Sequence, residues 1–499
     1  MGNPLFARKP LKLLLEEMES DNRLRRILGP VQLTALGVGA IIGAGIFVAT
    51  GEAAHMTAGP ALMISYVAAG ITCVFAALCY AEFASMVPVA GSAFTYAYAT
   101  MGELFAWIIG WDLVLEYAVG SATVANGWSS YFQTLLPEGW LPVALSKAPI
   151  IYDTATSSYE ATGCIVNLPA VIIVCIVTII LVKGIQESAS FNATMVGIKL
   201  AAVLFVIGVG IKYVNPDNWH PMAPYGWGGF SLFGDPNHVW GQVIGGKPVG
   251  MLAGAAIIFF AYIGFDSVST HAEEAKNPRR DVPIGIVASL LICTVLYIAV
   301  VAVLTGMVKY DQIDTGAGVS SAFKTVGLGW AEVIIATAGV AGITSVLLVM
   351  MLSAPRVFLA MSRDGLLPTK FFADVHPKFR TPWKSTILIG SVVSIGAGLL
   401  PIDALLQMTN IGTLFAFTIV CIAVLIMRRT NPEAERPFRC PMVPLVPILG
   451  VICCIILMMS LPQANWYRLV GWLAIGLLIY FAYGRHHSVM AKQRAEGKL

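Results

Sequence analysis

Apolar residues along this chain gather into long runs parted by short polar intervals. A hydrocarbon core of ~30 Å needs about 20 consecutive apolar residues in helical form. Twelve stretches approach or exceed that length, at 31–50, 60–86, 104–134, 168–184, 191–213, 250–270, 284–307, 329–360, 383–400, 405–427, 443–461 and 467–484. The pattern predicts an all-α integral membrane protein with twelve transmembrane helices and no separable soluble domain. The longest intervals, 135–167 and 214–249, are rich in Pro, Gly, Trp and Tyr and read as ordered caps. The mixed-charge intervals Glu273 to Pro283 and Ser362 to Pro382 suit gate linkers.

Two of the twelve stretches are interrupted. The first runs through Gly37, Gly39, Gly43 and Gly45. Glycine leaves helical dihedrals more readily than any other residue, and the backbone groups so freed are tolerated in lipid only where protein or a cavity covers them. Small residues at this spacing also allow close helix contact. The sixth stretch carries Gly264 and the acid Asp266 near its middle, and Ala40-Ile41-Ile42-Gly43 finds a faint echo in Ala256-Ile257-Ile258-Phe259. Paired broken helices in corresponding halves are the mark of an inverted-repeat transporter with its site at mid-membrane.

Composition agrees with this setting: 57% of the 499 residues are apolar and 12% charged, about half the charged share of a soluble domain. The basic residues are sorted. Arg8, Lys9, Lys12, Arg23, Arg25 and Arg26 precede the first stretch, and further groups at Lys276 to Arg280, Arg363 to Lys384, Arg428 to Arg439 and Arg485 to Lys498 fall on the same side. The other side keeps Lys147, Lys212, Lys247, Lys309, Lys324 and Arg468. That asymmetry puts both termini in the cytoplasm. It also accounts for the net charge of +3, so no nucleic-acid partner is implied. No cleavable signal peptide is read in the polar residues before Val31. Of nine cysteines, Cys164 alone falls in an outer interval, which argues against a disulfide framework.

Ionisable groups inside a bilayer are functional candidates by default. Here they are Glu82, Asp112, Glu116, Lys199, Asp266 and Glu332. Lys199 lies too deep to snorkel comfortably, and its ammonium can stand in for a bound cation or lose its proton as the surroundings change; the plainer reading is a structural ion pair. Asp112 and Glu116 share a helix face at i, i+4. Asp112 is expected to be solvated nearer the inner end, and Glu116 to join a charge relay with Lys199 and Asp266. Glu82 and Glu332 read as interfacial or gate-loop contacts. A helix restarting after the glycine break offers N–H groups to a carboxylate, and carbonyls near Phe260 to Ile263 suit an ammonium. Together these describe a site for an amino acid zwitterion. No phosphate loop, metal-spaced cluster or nucleophile with a base is present, so neither an enzyme, a cofactor nor a metal is expected.

The run Gly37 to Phe47, the segment Pro88 to Tyr98, Phe260 to Asp266, Glu273 to Ile286 and Ser362 to Pro368 resemble the amino acid–polyamine–organocation superfamily, and within it the cationic amino acid transporter family in its bacterial form. The resemblance extends from about Leu28 to the last stretch. It implies a five-plus-five inverted repeat, with residues 31–213 as the first half and 250–427 as the second, helices at 443–484 outside the core, and cytoplasmic segments at 1–30 and 485–499. It implies that Ile41, Gly43, Ala44 and Gly45 bind the substrate carboxylate, that Phe260, Ala261 and Ile263 bind the amino group with Phe260 as outer lid, and that Met350 faces the substrate side chain. Lys199, with Glu116 and Asp266, is implied in proton coupling.

Two departures bear on specificity. Ala44 stands where relatives often carry a hydroxyl, and Met350 is bulky where arginine-taking transporters tend to have a small residue. Both favour small or medium neutral amino acids. The expected function is a proton-coupled amino acid symporter in the plasma (inner) membrane, whose partners are the amino acid, protons and the lipid bilayer, with room for a small accessory membrane helix. Two alternatives are a cationic amino acid or polyamine facilitator or exchanger, and a sensor that binds an amino acid without moving it. Counterflow in liposomes separates the sensor from the others.

Overall fold

A computed structural model describes residues 8–10, 28–86, 92–137, 139–153, 158–184, 189–270 and 275–495. Each of the twelve apolar stretches falls on helix. Seven helical segments are long and apolar enough to cross a membrane, Gly45–Met86, Glu103–Thr134, Thr194–Tyr213, Pro278–Met307, Gly329–Arg363, Ile402–Thr430 and Gln463–Gln493. Five shorter apolar ones are Pro30–Ile41, Leu168–Lys183, Met251–Tyr262, Trp383–Leu399 and Leu445–Met459.

The first stretch divides into α1 (Pro30–Ile41) and a segment over 45–58 that alternates π-helical, α-helical and again π-helical turns. It outruns the expected end at residue 50 and stops at Gly59, where φ is +61°. Proline at the first position and Gln32 reaching back to the Gly29 N–H at 3.0 Å start α1. Then follow α2 (Leu62–Met86), α3 (Ser92–Thr100), α4 (Glu103–Thr134), α5 (Leu168–Lys183), α6 (Ala189–Gly210) and α7 (Met251–Ile258). The second half continues with α8 (Pro278–Met307), α9 (Gly318–Thr325), α10 (Gly329–Arg363), α11 (Trp383–Leu399), α12 (Ile402–Thr430), α13 (Leu445–Met459) and α14 (Gln463–Ile479). Helix α8 begins six residues ahead of the apolar stretch at 284. Its first turn holds Arg279, Arg280 and Asp281, which read as loop, yet Pro278 opens the helix and the Asp281 carboxylate accepts from the Asn277 N–H at 3.1 Å.

Helix α4 packs along α10 and α12, while α8 lies against both α1 and α2. The backbone ahead of α1 is tied to that ahead of α8, because Leu28 bridges Ala275 and accepts from the Lys276 N–H at 2.8 Å. Outside this core, α14 is fastened to α4 by indoles. Trp107 and Trp111 donate to the carbonyls of Gly476 and Trp472 at 2.9 Å, and the rings of Trp111 and Trp472 stack at 4.4 Å. Glu82, 1% exposed, takes both arms of Arg428 at 2.8 and 2.7 Å and the Cys440 N–H at 2.8 Å. It thereby anchors the 431–444 connection to α2. The intervals expected as caps hold three antiparallel hairpins: Ile150–Asp153 with Ser158–Ala161, Phe230–Ser231 with Val239–Trp240, and Gln242–Ile244 with Lys247–Val249.

Candidate functional site

Two helix breaks meet at the centre of the bundle. The first follows α1, where Ile42 turns to ψ 108° before helix resumes at Ala44. The second follows the tight 3-10 turn Phe259–Tyr262, where Ile263 takes ψ 131° and Gly264 φ +121°. They touch twice. A Cβ on Gly45 would stand 2.2 Å from the Ala261 Cα, and one on Gly264 would stand 2.8 Å from the Ala40 carbonyl oxygen. The glycines are needed here because backbone approaches backbone. Ile41, Gly43, Ala44 and Gly45 lie at the first break and Phe260, Ala261 and Ile263 at the second, all of them buried. The N–H groups that open the restarted helix have no carbonyl one turn behind them, and the second break brings carbonyls to the same level.

Side chains that no sequence motif singles out hold these breaks. The Tyr297 hydroxyl of α8 lies 2.8 Å from the Ile41 oxygen and 3.1 Å from that of Ala261, spanning both. The Asn410 amide of α12 donates to Ala256 at 2.9 Å and Ile257 at 2.8 Å, where α7 gives way to the 3-10 turn. Wider π turns displace carbonyls from the helical ladder, and hydroxyls take them: Tyr131 donates to Phe47 at 2.6 Å, and Thr50 to Gly45 at 3.3 Å. The signal for Tyr297 and Asn410 is a polar group inside an apolar stretch, which in lipid must find a partner.

Lys199 is 1% exposed, and its ammonium donates to the Gly39 carbonyl of α1. Its stem packs against Gly342 of α10, and Cys293 of α8 lies close by. It forms no ion pair among the described residues. Among the described residues no hydrogen bond or ion pair joins it to Glu116 or Asp266. Glu116 and Asp112 lie elsewhere, on α4 toward α12: a Cβ on Gly412 would stand 3.0 Å from an Asp112 oxygen. Asp112 is fully buried rather than solvated, and none of the four oxygens of Asp112 and Glu116 has a hydrogen bond among the described residues. Asp266 is near enough to act on Glu116 electrostatically and accepts from the Tyr117 hydroxyl at 3.4 Å. Met350 is buried with its sulfur facing Gly120 of α4, beside Thr409 of α12.

Residues 28–481 match the family described as amino acid permease. The chain belongs to that family. The permease is 45% identical to the methylthioribose transporter of Bacillus subtilis and 44% to the branched-chain amino acid permease of the same organism, each over 491 residues that cover 98% of this chain and 99% of the relative. It is 38% identical to the vacuolar cationic amino acid transporter 4 of Arabidopsis thaliana over 436 residues, 86% of this chain and 68% of the relative. It is a multi-pass membrane protein of amino acid transport and not an enzyme.

On the side of the hairpins the permease holds a cavity of about 490 Å³ that stops short of the crossing; Ile257 and Ala253 of α7 line it along with Glu52, Asn126, Gln407 and Glu332. Hairpins from the two long intervals clasp over it. The Tyr152 hydroxyl donates to the Gly245 carbonyl, and Lys247 sits 3.5 Å from the centre of the Tyr152 ring while pairing with Asp403 of α12 at 2.9 Å. Burial, with help from Tyr159 and Asp403, pushes the Tyr152 phenol up from its ordinary pKa, which keeps it a neutral donor.

Proposed function

We propose that this permease is a proton-coupled amino acid symporter of the plasma membrane that favours small and medium neutral substrates over cationic ones. The observation that carries the reading is the meeting of two helix breaks beside a buried lysine. The backbone at Ile41, Gly43, Ala44 and Gly45 suits a carboxylate, and the backbone at Phe260, Ala261 and Ile263 suits an ammonium a few ångströms away. Lys199 bonded to Gly39 supplies a positive charge to the first break, where a coupling cation would otherwise sit. An ammonium that gives up its proton there releases α1. Glu116 and Asp266, buried and close enough to act on each other electrostatically, complete the proton-coupling set with Lys199.

The same features support twelve spans arranged as a five-plus-five inverted repeat over 31–213 and 250–427. Breaks occur in the first and sixth apolar stretches, and the two longest helices, the 32-residue α4 and 35-residue α10, come from the third and eighth. Alternating access then swings the broken pair against a frame built on α4 and α10, with both termini on the cytoplasmic side.

Uptake into proteoliposomes under an inward proton gradient tests the reading. Isoleucine, valine or alanine should accumulate and counterflow, and collapse of the gradient should stop accumulation; exchange without any response to the gradient would overturn proton coupling. A second reading, import of methylthioribose, is favoured by the 45% relative of that name. That sugar has neither carboxylate nor ammonium to meet the two breaks. Its competition with isoleucine decides between them: inhibition by the sugar at equal concentration would favour the second.

Specificity is set at Met350. Serine there removes a long flexible stem from between α4 and α12 and adds a hydroxyl. Met350→Ser is expected to raise inhibition of neutral uptake by arginine and lysine by about tenfold, since each added favourable contact of ~1.4 kcal/mol changes affinity by that factor. An unchanged competition profile would remove Met350 from the side-chain pocket.

A further inference from the structure

The cavity beneath the hairpins contains a carboxylate with nothing to pair with. Glu52 lies on the 45–58 segment, one to two turns beyond the crossing, and its oxygens have no hydrogen bond or ion pair among the described residues. Asp403, Lys247 and Asp314 are close enough to act on it electrostatically; the two aspartates only add like charge, and the one lysine is engaged elsewhere. Lys247 is committed to Asp403 and to the Tyr152 ring, and the Asp314 carboxylate is taken by the N–H groups of Gly316 and Ala317 at 2.9 and 2.6 Å. Lys147 and Lys324 also line the cavity, and neither has an ion pair among the described residues. Ile257, Val249 and Ile244 add apolar lining. A volume of about 490 Å³ falls within the range of small-molecule sites, and a lining that holds a carboxyl group, lysines and apolar side chains matches an α-amino acid with an apolar side chain.

We infer that this cavity is a docking site for an amino acid, with Glu52 receiving the ammonium, and that it is occupied before the crossing opens. The inference rests on the transport reading but is separable from it, because docking is read by binding and transport by accumulation. A carboxylate stranded at the floor of a part-buried cavity is costly alone, and an incoming ammonium removes that cost, which gives the site its affinity.

Equilibrium binding of radiolabelled L-isoleucine to the full chain tests this. Wild type should bind about two molecules, Glu52→Gln about one, and Gly45→Ala, altered at the crossing only, about one. In proteoliposomes Glu52→Gln should raise KM about tenfold with kcat changed less than about twofold, and Glu52→Asp, which keeps the charge, should hold KM within about threefold. One molecule bound by wild type, two by Glu52→Gln, none by either, or a KM that Glu52→Gln leaves in place would each overturn the docking site. Wild type that binds two molecules yet accumulates none would overturn the transport reading and uphold the docking site.

Discussion

Lys199→Ala is expected to abolish accumulation driven by a pH gradient, a loss of at least about 100-fold in gradient-dependent uptake, while leaving counterflow of isoleucine measurable. The ammonium is the one basic group among the described residues of the bundle that touches the broken first helix, through the Gly39 carbonyl. Its titratable neighbour is the Cys293 thiol of α8, and no carboxylate pairs with it among the described residues, so nothing adjacent can take over its charge. Alanine removes the charge and leaves the Gly39 oxygen without its donor. Lys199→Met, which keeps the stem against Gly342, separates lost charge from lost packing: both variants should lose coupling, and methionine should retain more of the stability. Proteoliposomes with either variant that still concentrate isoleucine in response to a proton gradient would refute the assignment.

The second large effect is expected at Gly45. Its missing Cβ would stand 2.2 Å from the Ala261 Cα and 3.0 Å from the Ala261 nitrogen. No side chain can swing aside to admit a methyl group, since the obstacle is backbone, so Gly45→Ala forces the two breaks apart. Overpacking of this kind costs about 1–3 kcal/mol in a core, and a shift of ~1 Å between positioning groups lowers rate by about 100-fold. Uptake should therefore fall by about that factor even where the protein reaches the membrane in normal amount. Gly197 on α6, exposed and with open space for 4 Å around the place a methyl would take, is the control. Gly197→Ala should transport within about twofold of wild type, and equal losses in both variants would mean that the Gly45 effect is not local.

Much of this molecule is legible in its sequence because lipid leaves the chain few choices. A backbone that must satisfy itself within one segment makes helix wherever apolar residues run long enough, which is why all twelve stretches fall on helix within a few residues. The departures have local causes. The first stretch extends to Ala58 because π turns carry it past Glu52 and His55, charged or polar residues that face the vestibule or, for His55, bond the Ile313 carbonyl at 2.6 Å. The start of α8 is hidden by Arg279, Arg280 and Asp281, whose charges look like loop but sit comfortably in a first turn outside the apolar zone. Gly45 marks the crossing, where it meets the Ala261 backbone, whereas Gly37 and Gly43 make room for the side chains of Ser289 and Val346. Side-chain partnerships are less readable. Periodicity places Lys199, Glu116 and Asp266 at similar depth but says nothing of rotation about the bundle, and it is rotation that turns Lys199 to Gly39 and the acids toward α12. Tyr297 and Asn410 are hard to pick out because each is one of several polar residues in its apolar stretch, meaningful only once its backbone acceptor is known.

The phenol of Tyr297 owns one hydrogen, yet the oxygens of Ile41 and Ala261 both lie within its reach. At any instant one of the two goes without, and that deprived carbonyl is ready for a visitor bearing protons of its own. On the proposed transport reading, an arriving ammonium takes the oxygen that the phenol leaves open, and the phenol keeps the other.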